Sequence, residues 1–383
     1  MHRRTHKKSR HGCLECKRRH MKVRARPAGS PPGPPSSVTT SSPQPSAIPE
    51  VAPFSPPPGD QVSVEMAHMA LLHHYLTDPF GVTFTDQETH MRSVTTKYAL
   101  QTPYLMYQVL ALSARHYGSA HPEQAAYYHG MAIRLQTRAL SLFNSTGVDT
   151  MVEGDSSSDS SRRVPILIFS SILGTHALCD TLSFRDDDFS MTLARFAGYM
   201  RLHRGVQKVL RGHMSNLQTS ELEPLINQGI AWYTAKGVGT ECDDIRQRIE
   251  DAGTNMESES LEACRKAINH LQWAFDAGLP RPSDRGFIAI SWPIMIDLPF
   301  ALMLEQGRPE ALVVLGYYFL LLHYWKAFWV IGDTTGEHLL ESLARYLGPS
   351  WSSWLQAPFR LLRESGTAVG QSVGTSMRRS PGS

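Results

Sequence analysis

The sequence predicts an all-α fold, a multi-helix body preceded by a basic arm and a Pro/Ser-rich linker. Three observations carry this. From Val62 onward apolar residues recur at three- and four-residue spacing almost throughout, which is the period of a helix face. Prolines and glycines stand where helices begin and end. No run shows sustained strand alternation bounded by turn residues. The 383 residues are enough for a tail plus one large or two ordinary domains, and 41% hydrophobic content supports a core. The boundaries expected are an arm over 1–26, a disordered linker over 27–61, a helical body over 62–363 and a loose tail over 364–383.

In chain order, Met66, Met69, Ala70 and Leu72 start the first stripe, on a helix ending near Asp78. Thr102-Pro103 reads as N-cap and first-turn proline, with Gly118 as the C-terminal stop. Between them Leu105, Met106, Val109, Leu110 and Leu112 share a face. Pro122 opens the next helix, whose stripe is Tyr128, Met131, Leu135, Ala139 and Leu142. A polar loop follows Glu153. Helices are expected over Val164 to Leu182, Phe189 to Leu210, Glu221 to Thr234 and Leu261 to Ala277.

The last third is the most apolar. The uninterrupted part of Ala311 to Ile331 is twelve residues, broken by His323 and Lys326. A membrane span needs about twenty, so a buried core helix is expected and no membrane span. Leu339, Leu340, Leu343 and Leu347 form a stripe stopped by Gly348-Pro349, and Trp351, Trp354, Leu355 and Phe359 form another. The aromatic cluster Tyr317, Tyr318, Phe319, Tyr324, Trp325, Phe328 and Trp329 has two readings, plain core packing or the wall of an apolar ligand pocket.

The arm differs in kind. Residues 1–26 hold eleven Lys and Arg against Glu15 alone, so the arm carries +10 and the remainder −7 of the overall +3. Such an arm attracts phosphates, and a nuclear-import signal has the same composition. Cys13 and Cys16 stand at the C-x2-C spacing that lets two sulfurs reach one metal ion. Lys17, Arg18, Arg19, His20 and Lys22 follow. Then comes Val23, and the next cysteine is Cys179. A structural zinc ion needs four ligands, and this pair supplies two. His11 or His20 are the candidates to complete a mononuclear site, and the alternative is a disordered basic arm. Nearly half of the 25 prolines lie between Pro27 and Asp60, a composition that cannot offset its chain entropy by burial.

Gly12 to Lys22 resembles the first half of the fungal binuclear zinc-cluster regulators, whose C-x2-C-x6-C and three further cysteines hold two zinc ions. The resemblance implies zinc as cofactor, Arg19 and His20 on bases, and Lys17 and Lys22 on phosphates. It also implies G·C-rich half-sites on DNA read by a dimer, and location in the nucleus. The family's third cysteine falls at Val23. The match stops there at once, as at a misplaced splice junction or frame error rather than in a site that decayed slowly.

A second resemblance covers about 62–363. Leu105 to His116 is similar to the first signature helix of these regulators' helical activation domain. Trp292-Pro293, Arg308 to Tyr318 and Leu347 to Trp354 are similar to its C-terminal signatures. The sterol-uptake-control type, whose helical domain binds a sterol and dimerises, is the branch implied, with a homodimer and a sterol or other apolar ligand as partners. Without the missing cysteines the alternative is a lipid-binding or dimerising module that does not bind DNA.

No catalytic arrangement is found, and an enzyme is not expected. Asp186-Asp187-Asp188 precedes a helix, where acids suit the N-terminal dipole. His121-Pro122-Glu123 lacks the cysteine pair of a zinc deaminase. Cys179, Cys242 and Cys264 read as reduced packing cysteines of an intracellular protein. The charged N-terminus carries no secretory signal.

Overall fold

Pro103 sets where the central helix of the first half begins, and the rest of that half is built on it. Thr102 holds extended backbone and Pro103 takes the first helical position, where no amide donor is needed. A computed structural model describes residues 66–78, 80, 86–146, 160–186, 188–210, 220–224, 226–227, 239–278 and 286–365. The chain divides into two units, Met1–Gln61 and Val62–Ser383, and every described residue lies in the second. The expectations for the basic arm and the linker fall outside the described residues, as do 366–383 of the tail and 225 and 228–234 of the helix expected over 221–234.

The second unit is all-α, with no strand among the described residues. Its first half contains α1 (Met66–Thr77), α2 (Asp86–Ala99), α3 (Pro103–Ala120), α4 (Ala125–Ser145) and α5 (Ser160–Ser183). Its second half contains α6 (Phe189–Leu210), α7 (Asp243–Ala252), α8 (Ser258–Gly278), α9 (Gly286–Met295), α10 (Leu298–Glu305), α11 (Pro309–Tyr324) and α12 (Thr335–Leu347). A 3-10 segment, Pro349–Leu355, and a last helix over 356–365 follow.

Helix α3 packs on α1, α2, α4 and α5. It runs parallel to α5: Tyr104 meets Phe169 near one end (ring centroids 5.1 Å apart), and Arg115 Nε donates to Asp180 Oδ1 at 2.9 Å near the other. Gly118 is not the stop expected of it, since α3 continues to Ala120. A Cβ there would lie 3.1 Å from Tyr128 Cβ, so this glycine serves the close approach of α4 rather than the helix end. Pro122 opens a 3-10 turn, Pro122–Gln124, and α4 starts after it.

Two further expectations change. On α1 the expected stripe is not the buried one: Met66 is 82% exposed, and Leu71, His74 and Tyr75 face inward. Hydrophobicity misjudged this helix because its inward face is partly polar, with His74 hydrogen-bonded on both sides. Helix α2 was not marked in the sequence, yet Met91, Val94, Tyr98 and Ala99 pack on the core of the first half. Arg92, 6% exposed, also turns inward: it donates to Tyr75 O and to Glu88 Oε1 (2.6 Å) and lies over the Phe80 ring.

In the second half α11 is the centre. Every residue from Ala311 to His323 is buried. Helices α8, α12 and the 3-10 segment enclose it, with contributions from α7, α9 and α10. Helix α8 presents Ala263, Cys264, Ala267, Ile268, Leu271, Ala274 and Phe275, a stripe at helical spacing, to this core. The helix is shorter than the apolar run: it ends at Tyr324, and 325–331 are turns. Gly348 (φ 74°) stops α12 in the left-handed region that a β-carbon disfavours. Asp188 caps α6, accepting the Ser190 amide at 2.9 Å, so the acidic run is a helix start.

At 16 residues α11 is too short to cross a bilayer. Among the described helices the one long and apolar enough is Arg163–Ser183, within α5; 61% of its apolar window is buried, against α3 and α6 among others.

Candidate functional site

The residues that the sequence set aside for an apolar pocket all come from α11 and the turns after it. An all-round apolar helix must be enclosed, and enclosure sends its aromatic rings in different directions. Tyr317 points to α7, where its hydroxyl donates to Asp244 Oδ2 at 3.0 Å. Tyr318 lies on the other side, stacked on Trp292 (4.7 Å) beside Phe196 (5.8 Å). Tyr324 meets Phe275 of α8 edge-on at 6.0 Å. Trp325 is 2% exposed. Phe328 and Trp329 are partly buried against the same core, and Trp329 reaches into the first half, 4.9 Å from His116 and 6.0 Å from Phe80. The six residues are thus distributed over several neighbours.

Within that set, Tyr318 lies on α11 and Trp325 is the residue that ends the helix. Both are buried, and among the described residues neither the Tyr318 hydroxyl nor the Trp325 indole nitrogen has a hydrogen-bond partner. Burial pushes the Tyr318 hydroxyl far above its ordinary pKa, so it stays protonated and able to donate. By contrast the Trp292 indole N–H donates to Ala267 O at 2.9 Å, the satisfied state that buried tryptophans normally reach.

A second feature was not marked in the sequence. An open groove of about 810 Å³ lies between α7, α12, the 3-10 segment and the last helix. Acids from α7 and α12 (Asp244, Glu337, Glu341) face arginines from α7 and the last helix (Arg248, Arg360, Arg363). Arg248 Nε donates to Asp244 Oδ2 at 2.8 Å, so Asp244 receives both an arginine and the Tyr317 hydroxyl. The only signal in the sequence was Asp243-Asp244 at a helix start, which marks a cap as readily as a site.

The three described cysteines are free and buried. Burial raises the Cys179 thiol to about 11 and Cys264 to about 12, which leaves them protonated and unreactive. Among the described residues no group of three or more His, Cys, Asp or Glu is placed to hold a metal. Cys13, Cys16, Lys17, Arg18, Arg19, His20 and Lys22 lie outside the described residues.

The stretch from α1 into α6 carries the recognisable sequence. Residues 70–194 match the fungal specific transcription factor domain. The match spans about a third of the chain and includes Leu105 to His116 on α3, whereas the C-terminal stretches resembling that family's signatures fall beyond it. It supports a fungal transcription regulator. No curated protein matches the chain.

Proposed function

We propose that this chain is a nuclear fungal transcription regulator of the zinc-cluster type, with a helical ligand-sensing or dimerising body and an incomplete DNA-binding arm. The observation that carries the reading is the match over 70–194, with the Cys13/Cys16 basic arm ahead of it. Tethering the full chain to a reporter promoter through an unrelated DNA-binding domain should change reporter transcription. Unchanged expression, with the fusion present in the nucleus, would sink the reading.

The residues written here do not fit a complete zinc cluster. Cys13 and Cys16 offer two of the four ligands that one ion needs, and Val23 stands where a third thiolate belongs. Purified protein should therefore carry less than one tightly held zinc per chain. Its DNA binding should be sequence-independent and fall steeply with salt, because a basic arm neutralises phosphates without reading bases. Two zincs per chain, or strong preference for one sequence at physiological salt, would overturn the incomplete arm. Val23 also favours a second reading, a module that dimerises or binds an apolar ligand without touching DNA and sequesters intact partners.

For the body the ligand class is a sterol or another apolar molecule with a single polar group. The buried Tyr318 hydroxyl and Trp325 indole nitrogen support this, since each has a hydrogen bond to offer and the surroundings are rings and aliphatic chains. The reading is that of a regulator and not of an enzyme.

A further inference from the structure

The two halves of the body meet at a cluster of histidines and rings that shares only Trp329 with the aromatic set considered for a ligand. His74 of α1 donates Nδ1–H to Asp78 Oδ2 at 2.8 Å. Its Nε2 lies 2.9 Å from Nδ1 of His116 on α3. Because a carboxylate only accepts, a neutral His74 keeps its proton on Nδ1, and His116 Nδ1–H must donate to the bare Nε2. The result is a directed chain from His116 through His74 to Asp78.

Rings clamp this chain. Phe80 stacks on His116 at 4.3 Å, and Trp329 stands edge-on to His116 at 4.9 Å and to Phe80 at 6.0 Å. Phe80 packs on the core of the first half and Trp329 on the core of the second, so the stack bridges the two. The groups facing the pair are Asp78 just after α1, Arg92 from α2 with its Glu88 partner, Tyr117 of α3 against His74, and His121 after α3. The 325–331 turns bring the uncharged Trp329.

We propose that the His74–His116 pair, clamped between Phe80 and Trp329, is an acid-released latch joining the two cores of the body. The proton count explains how it opens. Two neutral imidazoles share one hydrogen bond, and an imidazolium–imidazole pair still does, because one nitrogen remains bare. With both rings protonated, both facing nitrogens carry hydrogens, no acceptor is left, and two cations face each other beside Arg92. Burial already lowers both histidines, His116 to about 4. The unfolded rings titrate near 6.5, so the latch is intact above that pH and weakens as pH falls towards 4. Aromatic faces favour a cation and oppose release, whereas burial disfavours the cation and lowers His116.

The test is amide hydrogen exchange of the full chain from pH 7.5 to 4, corrected for the intrinsic pH dependence of exchange. Protection over 66–78 and 325–331 should fall about tenfold or more on acidification while 309–324 keeps its protection. Loss of all three together, or no loss before global unfolding, would overturn the proposal. His116→Phe keeps a ring in the stack and leaves His74 with no second cation to face, so the acid-dependent loss should vanish. If the loss persists in that variant, the latch does not exist. Should His116→Phe fail to fold, Asp78→Asn decides. Removing the carboxylate, which favours the proton on both rings, should move the midpoint down by about one pH unit, and an unmoved midpoint overturns the proposal.

Discussion

His176 of α5 is fully buried, and neither ring nitrogen makes a hydrogen bond among the described residues. Its nearest acid, Asp180, is 3.7 Å away and already accepts from Arg115. Burial is the main cause that lowers His176 to about 4, so the ring is neutral at pH 7 and its nitrogens are buried without a hydrogen bond. A buried polar atom without a partner costs about 1–3 kcal/mol. His176→Leu should thus be at least as stable as the parent at pH 7, by up to about 1 kcal/mol once packing losses are counted. The folded pKa is below the unfolded value of 6.5, so the parent's stability is full above pH 6.5 and is lost as pH falls towards 4. At pH 5 that linkage amounts to about 2 kcal/mol, at 1.36 kcal/mol per unit of pH. Urea unfolding of both proteins at pH 7 and pH 5 checks this: the gap in favour of the leucine variant should widen in acid. A gap that stays constant would mean His176 titrates normally.

At the scale of elements, α11 and α12 approach so closely that a glycine is required between them. A Cβ on Gly336 would sit 2.6 Å from both Phe319 O and His323 N, which are backbone atoms and cannot rotate away. Gly336→Ala must push the two helices apart, and core overpacking typically costs about 1–3 kcal/mol. The rigid partners put this site near the top of that range. Thermal unfolding should show Gly336→Ala well below the parent. A variant of unchanged midpoint would show that α12 does not rest on α11 at this distance. The same pairing explains α12's sequence: Leu339, Leu340 and Leu343 face the core, and Gly316 of α11 gives Leu355 room.

For the whole molecule, the central question is whether the second core holds a ligand. Anything that binds the folded state alone raises its melting temperature with concentration. The full chain titrated with a sterol should therefore melt higher as sterol is added. Trp325→Ala should weaken the shift, because it removes a buried ring and a donor together. No shift from sterols or other apolar compounds, in a chain that unfolds cooperatively, would make the aromatic cluster plain core. The burial of Trp325 is consistent with either outcome, since a core residue and a pocket residue are both hidden from solvent in a structure without ligand.

Much of this architecture was legible in local sequence. The helical class, the cap at Thr102-Pro103, the bounds Phe189–Leu210 and the stop at Gly348-Pro349 all depend on interactions within a few residues of each other. The burial of α11 was legible too, because a helix apolar on every side has no face to offer to water. What only the tertiary structure decided is where polar residues turn inward. Arg92, His74 and His116 occupy inner positions because partners arrive from other helices, and no spacing rule announces a partner 42 residues away. Gly118 and Gly336 read as breaks in the sequence or not at all, and their role is to let a second helix approach. Trp329 belongs to the apolar run of the second core, yet its position against Phe80 and His116 was fixed by how the two halves meet. Backbone periodicity is local and written in order along the chain, whereas the satisfaction of buried polar groups is settled only when distant segments come together.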